Sequence, residues 1–117
     1  MKRDKLYLAH IGECIRKVEA YTIEGEAYFF QDTRTQDAVL RNLQVLSESV
    51  KRLSPDVKNR FPEIDWVRIV GFRNALVHDY LGIRLERVWE VIQQNLPALK
   101  AAVDEVLLEH GINLDER

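Results

Sequence analysis

The chain has one cysteine, Cys14, three prolines and five glycines in 117 residues. A single cysteine excludes an internal disulfide and fits a reducing compartment, and Cys14 is expected to be an inert, structural thiol. So few prolines and glycines leave little room for many tight turns. No apolar run approaches the roughly 20 residues that span a bilayer. The start, Met1-Lys2-Arg3-Asp4-Lys5, is charged and lacks the continuous apolar segment of a signal peptide. A cytoplasmic chain is therefore expected. Metal chemistry finds no ligand pattern: no Cys pair, no His four residues from another, no clustered carboxylates. No phosphate-cradling glycine loop is present, and no cofactor is expected. A net charge of −2 argues against a polyanion binder that uses its whole surface.

What is present is helix. One domain over residues 1–117 is expected, long enough for a single core. Leu8, Ile11, Ile15 and Val18 step by three and four, giving an apolar seam on a first helix from about Asp4 to Thr22. Tyr28-Phe29-Phe30 reads as an apolar plug on the bundle, because no partner strands appear elsewhere. Asp32 or Thr33 can cap a second helix running to about Leu53, with Val39, Leu43, Leu46, Val50 and Leu53 facing another helix. Ser54-Pro55 starts a short helical turn. A further helix follows from about Ile64 to Tyr80, then an amphipathic element through Leu85, Val88, Trp89 and Ile92. Asn95-Leu96-Pro97 either kinks that element or separates it from a last helix lined by Leu99, Val103, Val106 and Leu107. The expected fold is all-α, an antiparallel bundle of about five helices.

Charge is unevenly spread. Residues 34–87 hold ten basic and seven acidic side chains, a net +3, whereas residues 88–117 hold two basic and six acidic, a net −4. A local positive cleft in the middle of the chain is compatible with this, although solvated helix faces of mixed charge are the plainer account of most of these side chains.

The segment that stands out is Gly71-Phe72-Arg73-Asn74-Ala75-Leu76-Val77-His78-Asp79-Tyr80. On a helix, Trp66, Arg73 and Tyr80 are seven apart and fall nearly on one line, with Ile69, Val70 and Val77 beside it. Arg73 thus interrupts an apolar stripe, and a permanent charge there is costly unless paired. Asn74 and His78, four apart, form a neighbouring row. Taken alone, Arg73 would pair with Asp65, Asp79 or Glu63, and His78 would be an ordinary polar group. Tyr80 would be a core residue with its hydroxyl at the rim. His10 and His110 are expected at the surface, and Trp66 and Trp89 in a core or an interface.

Together these residues suit metal-independent RNA cleavage. RNA carries its own nucleophile, the 2′-OH, so few groups are needed. His78, with a reference pKa near 6.5, can move the protons. Arg73 can hold two phosphate oxygens and counter the charge that develops on them. Asn74 can donate to a phosphate or ribose oxygen or orient His78, and Tyr80 can bond a phosphate or stack a base. One such histidine per chain falls short of an acid and a base. A homodimer that apposes two motif helices would supply both and bury the apolar stripe.

Arg73, four residues, His78, any residue, Tyr80, with Asn74 after the arginine, resembles the signature of HEPN ribonucleases, and of the HepT-like toxins among them. The resemblance extends over the Asp4-to-Tyr21 helix, Thr35-Gln36-Asp37-Ala38-Val39, Arg41-Asn42-Leu43, Trp66, Leu81-Gly82-Ile83 and Val88-Trp89. It implies a homodimeric endoribonuclease toxin with a composite cleft, paired with a minimal nucleotidyltransferase antitoxin that adds AMP to Tyr80. A nucleotide there would bring a negative phosphodiester into the RNA's place and occupy Arg73. Two departures are visible: Leu46-Ser47-Glu48-Ser49 where relatives commonly have Gly-Glu-Ala, and Arg84 where many have an acid. Asp79 adds a negative charge beside His78. Two readings from other classes stay open, a non-catalytic nucleotide- or RNA-binding subunit of a nucleotidyltransferase complex and a purely structural dimerisation module.

Overall fold

A computed structural model describes residues 2–78 and 84–116, apart from the side chains of residues 2, 77 and 78. The described residues form seven α-helices and a closing 3-10 turn: α1 Lys2–Tyr21, α2 Glu26–Gln31, α3 Thr33–Lys51, α4 Pro55–Asn59, α5 Trp66–His78, α6 Leu85–Gln94, α7 Leu96–Glu109 and the turn Leu114–Glu116. The all-helical bundle expected from the pattern is what forms. Its count is seven rather than about five, because two connections are themselves helical. Tyr28-Phe29-Phe30 lies in α2, where Phe29 is fully buried with its ring 5.4 Å from Phe30 and 5.3 Å from Trp89. The segment after Ser54 is α4, with Ser54 as cap and Pro55 in its first turn, where a missing N–H costs nothing.

The caps explain the other boundaries. Asp32 accepts the Thr35 N–H at 3.0 Å and the Thr35 hydroxyl at 2.6 Å, so α3 starts at Thr33. Asp65 accepts the Arg68 N–H at 3.0 Å, which starts α5 at Trp66 rather than Ile64. Asn95 ends α6 and begins α7, so the Asn95-Leu96-Pro97 segment separates two helices.

The predicted seams meet in one core. Leu8, Ile11, Ile15 and Val18 of α1, Val39, Leu43, Leu46 and Val50 of α3, and Leu99, Val103, Val106 and Leu107 of α7 are all buried. α1 packs on α3 and α7, α6 packs on α7, and α5 lies against α3. Cys14 is buried, and burial raises its thiol pKa, as expected of an inert thiol. Asp4 is buried too and holds the start of α1 to the α3–α4 corner. Its carboxylate accepts the Ser54 N–H at 2.9 Å and the Ser54 hydroxyl at 2.7 Å. No described helix is long and apolar enough to cross a membrane.

Candidate functional site

α5 docks on α3 through one side only. Leu76 is buried, and Ile69, Val70 and Phe72 are half-buried against the core. The opposite side carries Val67, which is 83% exposed, with Gly71 and Asn74 one and two turns on. An exposed valine in a row with polar motif residues is the unpartnered part of this helix. Trp66 is anchored at the other end, its indole N–H donating to the carbonyls of Lys58 and Phe61, both at 3.1 Å. It is a structural residue, as its spacing suggested.

Arg73 lies between the two sides, its side chain 23% exposed. Its Nη1 donates to Asn74 Oδ1 at 3.0 Å, and its Nη2 lies 3.7 Å from Glu48 Oε1 on α3. The partner is therefore Glu48, not Asp65 or Glu63; Asp79 lies outside the described residues. The Nε of Arg73 is buried and has no hydrogen-bond partner among the described residues. A buried orphan donor on a cation is a cost that a structural arginine normally avoids. Asn74 uses its carbonyl on Arg73, and no bond of its NH2 group is found among the described residues. His78 is the last residue of α5; its side chain and all of Tyr80 lie outside the described residues.

Sequence reasoning missed the α3 side of this site. Glu48, Lys51, Arg52 and Arg73 line one open depression. A second, lined by Lys51, Lys58, Trp66, Val67, Val70, Gly71 and Asn74, continues from it along the outer side of α5. The signal was present: Glu48, Lys51 and Arg52 stand at i, i+3 and i+4 and so share a helix face. An apolar cavity beneath α5, lined by Leu43, Ile69, Phe72 and Leu99 among others, has only about 20 Å³, too little for more than a water-sized guest. Among the described residues no group of three His, Cys, Asp or Glu side chains could hold a metal ion. His10 and His110 are exposed, as expected.

The family described as Ribonuclease HepT-like matches residues 11–106, most of the chain. This chain belongs to the HepT-like ribonuclease family. Among its relatives, a protein named "Probable ribonuclease HepT" from Thermococcus cleftensis is 34% identical over 91% of this chain and 98% of its own length. The "mRNA nuclease HepT" of Shewanella oneidensis is 25% identical, over 87% and 94% respectively. A Methanocaldococcus jannaschii protein named "Gamma-glutamylcyclotransferase and putative RNase" is 33% identical over the whole of this chain, which spans only 54% of that relative. No solved structure matches. On the helix that ends at His78, Arg73 is half-buried, and its Nε has no partner among the described residues.

Proposed function

We propose that the chain is a metal-independent endoribonuclease, the toxin of a toxin–antitoxin pair, acting as a cytoplasmic, single-domain homodimer. The observation that carries the reading is Arg73. Its guanidinium is held at a groove by Asn74 and Glu48, and one buried N–H has no partner among the described residues. A phosphate is the kind of ligand a planar fork of donors is suited to hold. In the reaction, the 2′-OH loses its proton to His78 as its oxygen attacks the adjacent phosphorus. The bond from phosphorus to the 5′-oxygen breaks, and that oxygen takes up a proton from the acid. Arg73 counters the charge on the phosphorane oxygens, and the Asn74 NH2 donates to a phosphate or ribose oxygen. The nucleophile belongs to the RNA, so no metal-activated water is required.

A second copy of the chain supplies the second His78. The exposed Val67 on the same row as Asn74 supports such a contact, because it gives an apolar surface to bury beside the motif. The partner in restraint is a minimal nucleotidyltransferase antitoxin that adenylylates Tyr80, two residues past His78. The test is cleavage of a labelled RNA pool in excess EDTA by wild type and His78→Ala, with Tyr80 verified as unmodified by peptide mass. Cleavage by wild type alone is expected. Silence of the unmodified wild type would turn the reading toward a non-catalytic RNA-binding subunit.

A further inference from the structure

Several cations of this chain are neutralised by carboxylates. Arg16 meets Asp104 and Asp115, Arg60 meets Glu105 and Glu109, Arg68 and Arg87 meet Glu90, and Lys100 meets Glu19. Lys51, Arg52 and Lys58 form no ion pair among the described residues. These three line the two depressions that hold Arg73 and Asn74. Arg52 shares the first depression with Arg73, Lys58 shares the second with Asn74, and Lys51 lines both. Lys51 and Arg52 come from the end of α3 and Lys58 from α4, so the two connected helices present one basic rim. With Arg73 and Glu48, the described residues that line the rim carry four positive charges and one negative, a net +3 in a chain of net −2.

We propose that Lys51, Arg52 and Lys58 form a phosphate track that seats single-stranded RNA on the α3–α4 side of Arg73. This deepens the ribonuclease reading and rests on it for the identity of the ligand. The geometry separates two tasks. Arg73 and Asn74 meet the scissile phosphate, whereas the lysines lie beyond Arg73 and contact phosphates flanking it. Val67 lines the second depression together with Lys51 and Lys58, so a contact of the second copy at Val67 borders the track. RNA is the occupant favoured here because the rim is basic and open, while its sequence-blind charges suit a backbone rather than particular bases.

The test is the salt dependence of binding to a single-stranded 2′-O-methyl RNA, which cannot be cleaved, measured beside cleavage of ordinary RNA. For single strands each phosphate contact adds about 0.7 to the slope of log affinity against log salt, so Lys51→Gln with Lys58→Gln should lower it by about 1.4. Affinity should fall about tenfold or more near 0.1 M salt. The control is Lys17→Gln with Lys100→Gln, which removes the same charge away from both depressions. Lys51 is exposed and Lys58 is half-buried, so an unchanged melting temperature checks that the fold is intact. An unchanged slope in the groove variant, or an equal drop in the control, overturns the track. If wild type binds with the expected slope difference but cleaves nothing, the track stands and the nuclease reading fails.

Discussion

Arg73→Ala separates a residue kept for chemistry from one kept for stability. Among the described residues, Arg73 makes one 3.0 Å hydrogen bond to Asn74 and a loose 3.7 Å approach to Glu48, which is itself 42% exposed. The bond contributes about 0.5–1.5 kcal/mol. The partly exposed ion pair contributes about 0–1 kcal/mol, and at 3.7 Å with solvent screening the low end applies. Against these stands the buried Nε, whose unmet desolvation costs about 1–3 kcal/mol and which the substitution removes. The terms nearly cancel, so stability should change by no more than about 1 kcal/mol. In urea that is a midpoint shift of roughly 0.5 M for a slope of about 2 kcal/mol/M. Cleavage should fall by about 10²–10³, the loss seen when a donor that meets transition-state charge is deleted. Arg73→Lys keeps the charge but not the fork, and it should recover only part of that loss. Urea melts with cleavage rates per folded protein decide the matter. A loss of stability above about 2 kcal/mol with unchanged cleavage would refute the reasoning and make Arg73 structural.

Asp4→Ala should destabilise by about 1–2 kcal/mol in the same melts, because it strands two half-buried Ser54 donors, and a loss below about 0.5 kcal/mol would contradict the tie between α1 and the α3–α4 corner. Gly71→Ala should raise stability by up to about 1 kcal/mol, since an added Cβ meets nothing within 4 Å in the protomer and alanine favours the helix. A drop at dilutions where the chain is monomeric would show that α5 is strained there. The carboxylates of Asp32, Glu109 and Asp115 are all held below their usual pKa, by the Thr35 hydroxyl, Arg60 and Arg16 respectively. Their contributions are therefore complete above the unfolded values near pH 4 and are lost as pH falls through the lower folded ones. The melting temperature should decline below about pH 4, and a maximum at or below that pH would contradict the pairing.

The bundle was legible because its seams are long and regular. Every apolar position assigned to α1, α3 and α7 from three-four spacing is buried, and the caps at Asp32 and Ser54 do what short polar side chains before helices do. Of the two short helices, α4 was legible from its Ser54-Pro55 start, whereas α2 was read only as an apolar plug, and neither could be recognised from its period. α2 has six residues and α4 five, under two turns each, so neither is long enough to display a period. Phe29 shows its burial through tertiary contact with Trp89, sixty residues away, which no local pattern carries.

The site divides the same way. Arg73 and Asn74 stood out because a charge in an apolar stripe conflicts with its surroundings, and local conflict is visible in one segment. The choice of Glu48 over Asp65 or Glu63 was not visible, since those acids are nearer in sequence but lie before the turn at which α5 settles on α3. Docking, not spacing, decides which acid meets the guanidinium. It also turns the end of α3 toward the motif helix, so Lys51 and Arg52 become neighbours of residues twenty positions later. A bundle of this kind brings charge to the motif from helices that carry no motif of their own. On the proposed reading, phosphate contacts beyond Arg73 reside on α3 and α4 and the chemistry on α5, and variants on α3 and α5 should separate them.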